Sequence, residues 1–245
     1  MARRELRALF RSPLAWLILA GASFVLAWVF LVFLQQFLEV SPRLPADASA
    51  PGVSALVGSP SLLWASLVLV ILTPLIAMRL IAEEKRGATL TLLRSAPVST
   101  AAIVVGKFSA LIAFLWLVVV IAVAMPLTLA LGTALDFGRV ASGALGLALL
   151  AAAFGAISLF MSTLTHQPLL AALASFGALI FLWIINLAAN GAGGTAALVW
   201  LAFQPHLAPF LRGEIRTNDV AYFVILAALF LGLSIWKLDA ERLGA

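Results

Sequence analysis

Uninterrupted apolar runs of about 17 to 25 residues, recurring with no charged residue at mid-run, restrict this chain more than any other feature. A run of that length crosses about 30 Å of hydrocarbon as a helix. Only a helix or a closed barrel satisfies every backbone N–H and C=O there. Six runs qualify, at about 14–34, 62–81, 108–131, 140–164, 169–189 and 220–237. The sequence therefore predicts an all-α polytopic membrane protein, with 1–245 as a single transmembrane domain. Composition agrees, at 64% hydrophobic and 10% charged residues, where soluble domains carry about 25% charged. A soluble enzyme or a nucleic-acid binder does not fit. With no cysteine, the chain has no disulfide, thiolate metal site or thiol chemistry.

Before the first run, residues 1–12 place Arg4, Arg7 and Arg11 on one helical face and Leu6, Leu9 and Phe10 on another, an interfacial helix pattern. The run that follows is too long for a signal-peptide core and ends in Gln35-Gln36 without a small-residue cleavage site. The stretch from Gln35 to Pro60 holds four prolines and reads as a loop. Between the fifth and sixth runs, Asn190 to Gly194 breaks the chain before a short apolar stretch, Thr195 to Phe203. Nine helical residues rise only about 13.5 Å. That is too short to cross, and Gln204-Pro205-His206 is expected to end it, so 190–219 reads as an outer re-entrant helical segment, tolerated where protein buries the backbone.

With six spans, eleven Lys and Arg fall on the side of the termini and of the loop between spans two and three, and four on the other side. Positive residues stay in the cytoplasm, so both termini are expected inside.

Little chemistry is written into the spans. No ionisable residue sits at mid-span, so a proton relay or voltage sensor lacks its working groups. Arg79 and Arg139, at span ends, are read as snorkelling. His166 and His206 fall on opposite sides and cannot share a metal ion; Glu214 is a weak candidate partner for His206. Gly106-Lys107 lacks the flanking residues of a P-loop, so any ATP used is bound elsewhere.

The densest polar organisation lies in the loop 82–106. Glu83, Glu84, Lys85 and Arg86 stand in sequence, followed by Gly87, Thr89, Leu90, Leu93 and Pro97. As a short helix along the membrane, this segment would show charge to the cytosol and tuck leucines under the bundle. Together with Ala96-Pro97-Val98-Ser99 and Gly106-Lys107-Phe108, it resembles the signature of type-2 ABC exporter permeases, most closely the gliding-motility-associated and nitrous-oxide-reductase-maturation branches. A second stretch, from Pro205-His206 through Phe210, Gly213 and Asn218-Asp219 to Tyr222-Phe223, is similar to the family's pattern before its last helix. Two positions depart from it: Ala88 separates Gly87 from Thr89, and Thr217-Asn218 replaces charged residues.

The resemblance implies a non-catalytic permease subunit in a bacterial inner membrane. It pairs with a second copy or a paralogue and binds two cytoplasmic ABC ATPase subunits that hold the ATP and Mg; the chain itself carries no cofactor. Glu83 to Pro97 would be the ATPase coupling helix, and His206, Phe210 and Gly213 would belong to the outer re-entrant segment. Ser66, Thr73, Ser175, Trp183 and Asn186 are candidates for a substrate path, although hydroxyls in spans also serve packing. An alternative keeps the ATPase but moves no solute: a transmission subunit that works on an accessory membrane or periplasmic protein. Small residues at four-residue spacing in span four, Ser142 with Gly146 and Ala151 with Gly155, are expected to mark close helix packing rather than a pore.

Overall fold

In the computed structural model, the described residues are 2–43, 52–82, 85, 99–189 and 200–243. They are almost entirely helical. Helix α1 (Ala2–Arg11) precedes α2 (Pro13–Val40), α3 (Ser59–Ala77), α4 (Thr100–Leu127), α5 (Phe137–Leu164), α6 (Pro168–Ala189), the short α7 (Phe203–Arg212) and α8 (Thr217–Leu243). Six of these segments are long and apolar enough to cross a membrane, as expected.

Several helices outrun the apolar runs that announce them. Gln35, Gln36 and Glu39 are good helix formers, and Gln35 Nε2 donates to Glu39 Oε1 at 3.4 Å, so α2 continues to Val40 through what reads as loop. A π-helical turn, Ser54–Gly58, leads directly into α3, whose second residue is Pro60. Ser99 Oγ accepts from Ala102 N–H at the start of α4, and Asp136 Oδ1 accepts from Arg139 N–H at the start of α5.

Helix α5 is the centre of the bundle and packs against α3, α4, α6, α7 and α8. Of its most apolar stretch 61% is buried by protein, against 28% for α2 and α8, which are peripheral. On α2 the buried residues Ala15, Leu19, Ala22, Leu26 and Phe30 form one narrow stripe at helical spacing. The opposite face presents Trp16, Phe24 and Trp28 outward, as a lipid-exposed helix must. The small residues of α5 do what their spacing predicts. A Cβ on Gly146 would stand 2.7 Å from Phe210 Cβ, and one on Gly155 would stand 3.0 Å from Ile112 Cδ1. Ser142 is buried beside them.

Gly146→Ala is expected to lower stability by about 1–3 kcal/mol, because Phe210 Cβ has no rotamer in which to retreat. Gly177→Ala, where nothing lies within 4 Å, should be neutral or slightly stabilising. Thermal unfolding of the two purified variants in one detergent checks the contrast.

Candidate functional site

The chain alternates direction through the bundle, so one end gathers both termini, the α3 exit, the α4 entry and the α5–α6 turn. At this end Lys85, the described member of the charged run, is held by two distant elements. Its Nζ donates to Glu241 Oε1 of α8 at 2.8 Å and to the Thr163 carbonyl near the end of α5 at 2.5 Å. The lysine side chain is 3% exposed and Glu241 26%, and Lys237 Nζ approaches the same carboxylate at 3.7 Å. One turn before, Ser162 Oγ accepts from Ala82 N–H at 3.0 Å. Thus the start of the 82–106 segment is fastened to α5 and α8. Glu83, Glu84, Arg86, Gly87, Thr89, Leu90, Leu93 and Pro97 lie outside the described residues.

Lys107, close to the exit of that segment, is likewise buried, with Glu5 Oε1 of α1 at 3.5 Å. Helix α1 lies on α4 through Phe10, whose ring meets Phe114 at 5.6 Å, while Trp16 Nε1 donates to the Phe10 carbonyl at 2.9 Å. Arg7 and Arg11 are exposed, as an interfacial helix requires; the Arg4 side chain lies outside the described set. An ammonium withdrawn from water persists only when paired. Both lysines flanking the segment satisfy that rule, and both do so with carboxylates from the ends of the chain.

At the opposite end, the described part of the re-entrant segment is helix α7. It starts at Phe203, whose ring meets Phe154 edge-on at 5.2 Å. Phe154 lies seventeen residues into α5, roughly 26 Å below that helix's start. From there α7 rises along α5 to Leu211. Gln204-Pro205-His206 therefore opens a helix instead of ending one: Pro205 falls in the first turn, where no N–H is needed. The helix stops at Gly213, whose φ of +92 suits glycine and whose Cα hydrogen faces Arg139. The Leu211 carbonyl in the last turn of α7 accepts from Ser59 Oγ at 2.6 Å and from Arg139 Nε at 2.9 Å. Arg139 is thus a helix cap joining α5 to α7, more than a side chain reaching for water.

His206 pairs with Asp219, not with Glu214, which is taken by Arg216 at 2.6 Å. Its Nδ1 lies 2.7 Å from Asp219 Oδ1, and its Nε2 lies 3.1 Å from the Trp200 carbonyl. Both ring nitrogens face oxygen acceptors, so only the doubly protonated ring donates to both. Tyr222 stacks on the imidazole at 4.0 Å and donates its hydroxyl to the Leu201 carbonyl at 2.7 Å. Phe210 is fully buried between α5 and α8. Spacing of thirteen residues across a turn concealed the Asp219 partner from a search at helical intervals.

The path candidates lie within the bundle. Ser66 donates to the Leu63 carbonyl, Thr73 to that of Leu69 and Ser175 to that of Ala171, each in its own helix; Ser175 also lies 3.4 Å from the Ser158 carbonyl of α5, and all three are buried. Trp183 is half-buried, and the Asn186 side chain lies outside the described set. No group of three or more metal-binding side chains occurs among the described residues. His166 and His206 stand at opposite ends.

These features, a bundle of six spans with a fastened charged segment and a buried helix before the last span, meet a decisive comparison. The family model described as ABC-2 family transporter protein matches residues 1–241. The chain belongs to that family. It is a membrane permease subunit of an ABC transporter, non-catalytic in itself. No curated protein matches it.

In this permease, Glu241→Gln leaves the Lys85 ammonium facing an amide. A drop of about 1–3 kcal/mol in stability is expected, moderated by the partial exposure of Glu241. Lys237→Gln, at a more exposed and longer pair, should cost under about 0.5 kcal/mol. Equal losses in the two variants, by thermal unfolding in detergent, would show that the Lys85 pair has no special weight.

Proposed function

We propose that this permease couples ATP hydrolysis by separate cytoplasmic ABC ATPase subunits to export across a bacterial inner membrane, with both termini in the cytoplasm. The observation that carries this reading is the anchoring of Lys85. A segment that receives force from an ATPase must be joined to the spanning helices by contacts that do not slip. Lys85 and the Ala82 amide join its start to α5 and α8, and Lys107 joins its far side to α1. The asymmetric distribution of Lys and Arg supports the orientation. Glu83, Glu84, Arg86, Gly87, Thr89, Leu90, Leu93 and Pro97 would form the surface seated on the ATPase. Mixed-sign charges would orient the docking and the leucines would carry load. The weakly buried helices α2 and α8 leave room for a second copy or a paralogue, two ATPase subunits completing the assembly.

One observation favours the alternative of mechanical transmission to an accessory extracytoplasmic partner. The hydroxyls of Ser66 and Thr73 are committed to their own helices and that of Ser175 to its own helix and the Ser158 carbonyl of α5, so the α3–α6 contact offers a polar solute few partners. Stimulation of ATPase turnover by an amphipathic cargo supports export, and stimulation by a protein partner supports transmission. Under export, Asn186→Leu should reduce transport, and undiminished transport removes Asn186 from the path.

A tagged chain purified from native membranes should bring a P-loop ATPase with it. In that complex, Glu84→Lys or Gly87→Pro is expected to leave membrane insertion intact while abolishing the link between ATP turnover and function. Normal coupling in both variants would refute the docking role.

A further inference from the structure

The end of the bundle that carries the termini holds a cavity of about 840 Å³ between the exit of α3 and the α5–α6 turn. Its lining includes Arg79, Lys85, His166, Gln167 and Leu169. Among the described residues, none in the lining is acidic and none forms a hydrogen bond or ion pair with Arg79 or the His166 side chain. Lys85 at the cavity wall is pinned by Glu241, so among the described lining residues Arg79 is the Lys or Arg left for a ligand. Pro168 and Leu169 are the first turn of α6, where the helix dipole adds partial positive charge. Immediately below, Leu169, Leu170 and Leu173 turn outward along α6, with Leu169 70% exposed.

We propose that this cavity binds the phosphate headgroup of an anionic phospholipid, with the acyl chains lying along the leucine face of α6. Two independent features select this occupant. The polar part of the site presents donors and positive charge, with no carboxylate among its described lining residues, which suits a phosphodiester anion. The apolar part is continuous with it and runs along a spanning helix, where a soluble phosphate would gain nothing and an acyl chain would. Arg79 contributes the bidentate donor pair, and the His166 and Gln167 side chains contribute further donors to the remaining oxygens. The site lies at a helix end, the depth at which headgroups sit. It is independent of which solute, if any, the transporter moves.

The test uses the purified full-length chain in nanodiscs of phosphatidylcholine doped with phosphatidylglycerol, followed by native mass spectrometry of the lipid it retains. The wild type should keep one phosphatidylglycerol in preference to phosphatidylcholine. Arg79→Gln should weaken that preference about fivefold, the contribution of one basic residue at an anionic surface. Arg79→Lys, which keeps the charge without the fork, should fall between. His166→Gln added to Arg79→Gln should lower it further. Arg216→Gln, at the opposite end, should change nothing. Thermal unfolding of each variant in phosphatidylcholine alone separates lost binding from lost fold. Equal retention of both lipids by the wild type, or undiminished preference in a folded Arg79→Gln variant, would overturn the proposal. Displacement of the lipid by inorganic phosphate would reassign the site to a soluble anion. Displacement by a co-purified protein subunit would reassign it to an acidic surface of that subunit.

Discussion

The close approach of α7 to α5 is the contact on which the rest of the arrangement depends. Inside hydrocarbon, burying apolar surface against protein gains little over lipid, so helices associate where small residues let backbones come near. Gly143 and Gly146 provide that opening, and Leu211 and Phe210 occupy it. Because α7 does not cross the membrane, its backbone ends must be satisfied by protein. Arg139 and Ser59 supply donors to its last turn, and in its first turn Pro205 has no N–H to satisfy. Remove the glycines and α7 loses its seat, and with it the Phe210–Phe223 and His206–Asp219 contacts that tie it to α8.

Among the described residues, the ion pairs that join helices lie where the chain leaves the bilayer. At one end Lys85 and Lys107 draw carboxylates from α8 and α1; at the other His206 draws Asp219 from α8. The two lysine pairs join segments far apart in sequence, His206 and Asp219 join two successive helices, and all three stand at helix ends. Such pairs add little free energy when exposed but are costly to break once buried. They act as fixed joints between helices whose apolar sides would otherwise slide on one another.

Much of the architecture was legible in the chain because hydrocarbon leaves few choices. Six apolar runs became six spans, the arginine face of residues 2–11 became a helix laid on the bundle, and the four-residue spacing of small residues marked the packing face of α5. What escaped the reading was set by tertiary partners. Glutamines at 35 and 36 mark the edge of hydrophobicity, not of helix. The sequence Gln204-Pro205-His206 looks like a terminator unless the helix begins at Phe203, because proline is hostile to a helix interior and harmless in its first turn. Arg139 as a cap, and the pairing of Lys85 with Glu241 across 156 positions, carry no local periodicity at all.

Helix α5 touches both sets of joints. Arg139 near its start holds the end of α7, and Thr163 near its end receives the Lys85 ammonium. Twenty-four residues separate the two, a rigid rod of roughly 36 Å at 1.5 Å per residue. Pivoted at its tightly packed middle, such a rod moves its ends in opposite directions. A tilt of about 5° would shift each by roughly 1.6 Å, comparable to the small interface translations by which packed helices switch between states. Motion imposed on one face of the membrane would then reach the other without any signal passing through side chains between them.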